Sequence, residues 1–173
     1  MSEQYNISLI NHSQISANLL EMIIRLKMES WNYSIGENQE WIKKNLKPFD
    51  KHLILCDQKG MVIAYSNLVL REIDVEGQSI DILGVGNLCV SNEMKRQGLG
   101  RFLMSFVNFY IIKNRMQGFL FCKDHLVSFY EQMGWKKLNS FFTFEMNNIS
   151  HNVLVYNSFI TDHESVDFKT GLF

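Results

Sequence analysis

The chain has 173 residues, 46% of them hydrophobic, with a single proline and a formal net charge of −1. That is enough apolar material for a packed core, too much for a disordered chain, and too near neutrality for a general attraction to nucleic acid or anionic membrane. With no signal peptide, no apolar run long enough to span a bilayer, and three widely spaced cysteines (Cys56, Cys89 and Cys122) in apolar surroundings, a soluble cytoplasmic protein with free thiols is expected.

Alternation over residues 5–10 predicts a first strand. Ser13 is the expected N-cap of a helix with Ile15, Leu19, Met22, Ile23 and Leu26 on its apolar face. After an aromatic and polar interruption at 31–36, a shorter helix is expected over about 37–46, stopping near Pro48. Residues 52–56 and 61–70 predict a hairpin about the turn at 57–60. Gly77 marks the turn into a strand over 80–90, where Gly84 and Gly86 suggest a bulge or a close backbone approach. The basic run Lys95-Arg96-Gln97-Gly98-Leu99-Gly100-Arg101 then opens a helix to about residue 115. Its apolar face is carried by Phe102, Leu103, Phe106, Val107, Tyr110 and Ile111. A short strand over 119–122 follows, and then a helix bearing Phe129 and Tyr130 that closes at Gly134, expected in the left-handed conformation. Strands over 136–146 and 152–160 are expected to pair as a last hairpin, ahead of a polar tail over 162–173. No repeat, linker or low-complexity tract interrupts the pattern, so one continuous domain over 1–173 is expected.

A basic, glycine-bearing turn that opens a helix presents backbone N–H groups and the positive end of the helix dipole, which suits phosphate. The sequence has no Gly-x-x-x-x-Gly-Lys-[Ser/Thr] motif. Neither Gly84-x-Gly86 nor Gly98-x-Gly100 has the third glycine of a dinucleotide fingerprint. An ordinary glycine-assisted turn with solvated charges is the competing reading.

The stretch from Val90 to Gly100 resembles the acetyl-CoA signature of the GCN5-related N-acetyltransferases, Arg/Gln-x-x-Gly-x-Gly/Ala, with Lys95 where Arg or Gln is usual. The helix carrying Phe129-Tyr130 and closing at Gly134-Trp135 resembles that family's second signature. The tail, with Val166-Asp167-Phe168-Lys169, Gly171 and a final Phe173, is similar to that of aminoglycoside 2′-N-acetyltransferases and the related nodulation N-acyltransferases.

The resemblance implies an α/β (α+β) fold, a mixed and mostly antiparallel sheet of about seven strands flanked by about four helices. It implies transfer of acetyl from acetyl-CoA to a small amine, with longer-chain N-acylation or a non-catalytic CoA-binding module as the alternatives. The pyrophosphate is expected on the N–H groups from Arg96 to Arg101, with charge from Lys95 and Arg96, and the pantetheine on the strand edge at Leu88, Cys89 and Val90. Tyr130 is the expected general acid for the leaving thiolate. Tyrosine and thiol differ by only about 1.5 pKa units, so a placed phenol can hand over its proton at modest cost. Many relatives carry a glutamate base late on the central strand, but Val85, Gly86, Asn87 and Leu88 stand there. Glu72, Asp81, Asp124, His125 and the Phe173 carboxylate remain open as bases. Trp31, Tyr33, Glu37 and Glu40 are candidates for acceptor contact, and Glu37 and Glu40 with Asp162, Glu164 and Asp167 would suit a cationic acceptor. Cys122 reads as an inert core thiol more readily than as a nucleophile. No metal, nucleic acid or membrane partner is expected, and a homodimer is compatible with the sequence.

Overall fold

The computed structural model describes residues 5–144, 151–162 and 164–168. Among them are nine strands and four α-helices, arranged as two compact units: Met1–Val69 with Gly86–Met104, and Leu70–Val85 with Ser105–Phe173.

The first unit begins with β1 (Asn6–Asn11), which pairs antiparallel with β2 (Lys51–Cys56), Asn6 opposite Cys56 and Asn11 opposite Lys51. β2 in turn pairs antiparallel with the first half of β3 (Val62–Val75), with an irregularity at Leu55/Cys56. Helix α1 (Ala17–Met28) is capped by Ser16, which accepts from the Leu19 N–H, and not by Ser13. The reason lies in the backbone. His12 and Ser13 donate their N–H groups to the carbonyls of Asp50 and Pro48, which ties Ser13 into a 3-10 turn at His12–Gln14. Helix α2 (Ile35–Asn45) starts two residues earlier than expected because Ser34 and Glu37 form a reciprocal capping box. The core of this unit gathers Ile23, Leu26, Ile54, Val62, Tyr65 and Cys89.

In the second unit, β3 turns into β4 (Gln78–Val90) through Glu76 and Gly77, both at positive φ (50° and 81°). Two such residues make the mirror-image turn whose twist suits a hairpin. β4 then pairs parallel with β5 (Gln117–Cys122), from Ile82 opposite Gln117 to Val85 opposite Leu120. Helix α3 (Leu99–Lys113) precedes β5, and α4 (Asp124–Glu131) follows it. Gly134 has φ +85°, as its position after α4 demanded.

The last expected hairpin is redistributed. The strand expected over 136–146 breaks into β6 (Lys136–Leu138) and β7 (Phe141–Phe144). The break is held by the Asn139 N–H on Asp162 and the Ser140 hydroxyl on the Thr161 carbonyl. β6 does pair with β8 (Asn152–Tyr156), but β7 pairs parallel with β9 (Ser165–Phe168). The polar tail therefore supplies a strand. Its buried Val166 and Phe168 alternate with Ser165 and Asp167, and β9 also joins the end of β3. Among the described residues the sheet is mixed and mostly antiparallel, as expected, and has nine strands. Phe119 and Phe121 meet Phe168 edge to face at 6.1 and 5.2 Å, and with Ile73, Val75, Ile82 and Val166 they form the second core.

Candidate active site

The expected donor-binding segment begins where β4 enters the first unit. Its distorted residue is Asn87, with φ +53°, and not either glycine; asparagine tolerates this region better than most side chains. The neighbouring Gly86 carbonyl accepts from the Ser66 hydroxyl at 2.9 Å, and Asn87 donates its side-chain amide to Asn67 at 2.8 Å. Leu88 and Val90 are half-buried and Cys89 is buried. Removal from water pushes the Cys89 thiol up to about 12, against a smaller opposing pull from Lys27, so it stands as a neutral thiol.

The loop that follows is pinned on both sides. The Ser91 N–H donates to Ile63 O at 2.8 Å, and the Asn92 N–H to Glu29 Oε2 at 2.7 Å. After a 3-10 turn at Asn92–Met94, Arg96 and Gly98 take positive φ (64° and 83°). The first bond of α3 runs from the Phe102 N–H to Gly98 O at 3.0 Å. Gly98 therefore occupies the cap position, where serine or aspartate would close the first N–H groups with its own oxygen; glycine cannot. A Cβ built on Gly98 would meet nothing within 4 Å. Lys95, Arg96, Gln97 and Arg101 are exposed around it, Gly100 is half-buried, and Leu99 turns into the core. Lys95 gives one hydrogen to Asn92 Oδ1 at 2.5 Å, while the Gln97 amide lies near Glu93 O. Such an arrangement can hold an anion on main-chain N–H groups with cationic side chains alongside.

In the second unit, Tyr130 sits in α4 and is buried, its ring edge-on to Phe129 at 5.0 Å and to Trp135 at 6.5 Å. Among the described residues its hydroxyl has no hydrogen-bond partner. Burial raises its pKa well above the usual value, with the Cys122 thiol a smaller contribution, so it stands protonated and holds that proton more tightly than the ordinary gap of about 1.5 units to a thiol implies. The end of α4 is held by Asn108 of α3, which donates to Met133 O at 2.8 Å and accepts from the Trp135 indole N–H at 2.9 Å. Cys122 is buried, and burial followed by Asp124 lifts its thiol to about 11, as expected of an inert residue.

Of the open base candidates, Glu72, Asp81, Asp124 and His125 are all exposed, and Asp124 already accepts from Asn152 at 2.7 Å. The terminal carboxylate lies outside the described residues. Several acids that suggested a cationic acceptor have structural work: Glu37 caps α2, Glu164 accepts from Thr161, and Asp162 from Asn139. Trp31 packs against the first core, and Tyr33 is exposed. Among the described residues no three His, Cys, Asp or Glu side chains gather as a metal site, and no helix is long and apolar enough to cross a membrane.

Sequence reasoning missed a buried polar band in the first unit. His52 lies between His12 (Nδ1 to Nε2, 3.0 Å) and the Tyr65 hydroxyl (2.8 Å). Burial and then His12 depress its pKa to about 4, with Asp50 opposing, so it is neutral. Asn67 faces His52 across β2 and β3, and its Nδ2 is the only fully enclosed, unpartnered side-chain atom among the described residues. Lys27, also missed, is buried on α1. The signal was available: a lysine directly following Ile23, Ile24 and Leu26 falls on the apolar face of the helix.

The sequence matches the model of the acetyltransferase (GNAT) domain over residues 13–153. No protein of curated function matches it. Among solved structures, the fold is similar to the GNAT family N-acetyltransferase YhbS of Escherichia coli in complex with CoA, at TM-score 0.68 and 17% identity over 97% of this chain and 91% of that one. It is similar also to E. coli ElaA, at TM-score 0.65 and 16% identity over 88% and 99% of the two chains. A third is an acyl-CoA N-acyltransferase from Pseudomonas aeruginosa, at TM-score 0.63 and 20% identity over 88% and 99%.

Proposed function

Since the chain belongs to the GNAT acetyltransferases, we propose that it moves an acetyl group from acetyl-CoA directly to the nitrogen of a small amine. The observation that carries this reading is the opening of α3: a glycine cap at φ +83° with open space beside it. Main-chain N–H groups from Arg96 to Arg101 take the pyrophosphate there, and Arg96 and Lys95 add charge beside it. The backbone of Leu88, Cys89 and Val90 pairs with the pantetheine arm, and one of those N–H groups faces the thioester oxygen as charge builds on it. Tyr130, whose hydroxyl finds no partner among the described residues, delivers its proton to the departing thiolate.

The expectation of a subgroup likeness to aminoglycoside 2′-N-acetyltransferases rested partly on residues 169–173, outside the described residues, so the acceptor is proposed only as a small amine. Free CoA release across an amine panel, read beside acetyl-CoA-dependent thermal stabilisation, tests the proposal. Stabilisation with no release over a broad panel would leave a CoA-binding module, and absence of both would remove the reading.

A further inference from the structure

A lysine that is only 5% exposed needs an account, because an ammonium taken out of water is costly unless an anion meets it. Lys27 points inward from α1, and its Nζ stands 4.6 Å from the centre of the Trp41 ring on α2. Among the described residues it has no hydrogen-bond or ion-pair partner. The titratable groups close enough to act on it or be acted on are the Cys89 thiol and His52, both neutral, so neither supplies negative charge. The ring face returns only a small part of the lost hydration. Yet the ammonium is not sealed in, since among the described residues the one enclosed and unpartnered side-chain nitrogen or oxygen is Asn67 Nδ2. Burial lowers its pKa to about 8, which still leaves it mostly charged at neutral pH, and a buried, unpaired cation that solvent can touch is half of an ion pair.

Its place indicates where the other half comes from. Lys27 lies beside Cys89, and Cys89 turns its side chain to α1, among Ile23 and Leu26. On the proposed reading, on which this inference rests, Cys89 belongs to the segment that carries the thioester arm. The cofactor's phosphates go to the α3 opening. The acceptor must bring its nitrogen to the thioester, so a second group on the acceptor is what reaches Lys27. The geometry points to a carboxylate: the acceptor is an amine that also carries a carboxylate group, and Lys27, backed by Trp41, binds it. One ammonium matches one negative charge, whereas a phosphate monoester draws several donors.

The test compares free amino acids with their carboxamides at matched concentrations of unprotonated amine, using acetyl-CoA and the full chain. Wild type should favour the amino acids by at least tenfold in kcat/KM, mainly through KM. In Lys27→Met, which keeps the apolar stem, that ratio should fall to about one, and Lys27→Arg should restore part of it. Equal kcat/KM for the two compounds in wild type, or an equal loss for both in Lys27→Met, overturns the inference. So does turnover confined to amines without a carboxylate. A loss of CoA affinity in Lys27→Met would reassign the cation to the cofactor and equally overturn it. If acetyl-CoA neither stabilises the wild type nor is consumed with any amine, it is the acetyltransferase reading that fails.

Discussion

Replacing Gly98 separates backbone strain from charge at the proposed phosphate position. Gly98 holds φ +83° with nothing within 4 Å of a built Cβ, so alanine meets no neighbour and pays only for the left-handed conformation, about 1–2 kcal/mol. Glutamate carries the same backbone penalty and adds a negative charge where diphosphate is to lie. Gly98→Ala and Gly98→Glu should therefore unfold at similar temperatures, each several degrees below wild type for a chain of this size. Their response to acetyl-CoA should differ. At a ligand concentration about 100 times Kd, binding adds about 2.7 kcal/mol, or roughly 5–10 °C. If glutamate weakens binding a hundredfold, the same concentration adds only about 0.4 kcal/mol, a shift near 1 °C. Gly60, also at positive φ with open space around it, provides the control: Gly60→Glu should lose stability yet keep the full ligand shift. Differential scanning fluorimetry over a concentration series measures all of these together. A full ligand-induced shift in Gly98→Glu would refute the assignment of phosphate to this turn.

Tyr130→Phe should lower kcat by about 10²–10⁴-fold while leaving CoA affinity within a few-fold; a comparable loss of affinity, measured by calorimetry, would make the residue a packing element. Cys122→Ala should keep its kcat and show no burst of acylated enzyme, because a buried thiol lifted to about 11 is almost wholly protonated at neutral pH; trapping an acyl-cysteine in wild type would contradict this. Burial, and then His12, lower the His52 pKa from the ordinary 6.5 to about 4 in the folded chain. Its neutral form is therefore favoured by folding: the contribution is complete above pH 6.5 and disappears as pH falls toward 4, up to about 3 kcal/mol. Urea unfolding between pH 7 and 4.5 should show a steeper decline in wild type than in His52→Asn, and parallel curves would exclude the burial argument.

Wherever side-chain periodicity and backbone conformation reinforce one another, the sequence was readable. The left-handed Gly134 after α4 and the opening of α3 at Gly98 are of this kind, because in each a glycine meets a backbone demand that other residues resist. Ser13 misled because capping depends on what the preceding chain is bonded to, and the partners of His12 and Ser13 are the carbonyls of Asp50 and Pro48, far along the sequence. β9 was hidden in a short, charged tail whose Val166 and Phe168 acquire meaning only beside β7 and the end of β3. The proposed donor-binding run and Tyr130 rest on local marks, a glycine-bearing turn that opens a helix and a signature tyrosine. Lys27 left a mark in its helical spacing to Ile23 and Ile24, whereas His52 and Asn67 left none, since each owes its importance to burial, a property of neighbours rather than of spelling.

Asn108 uses both ends of its amide, one on the Met133 carbonyl and the other on the Trp135 indole. The exit of α4 is thereby bolted to α3 at two points, and a rotation of that short helix about its own axis would have to break both at once. The angle at which the Tyr130 phenol leaves its helix is thus set by a residue on a different helix. On the proposed reading, an aspartate or leucine at position 108 should loosen the bolt without touching the phenol, and lower kcat while acetyl-CoA still binds.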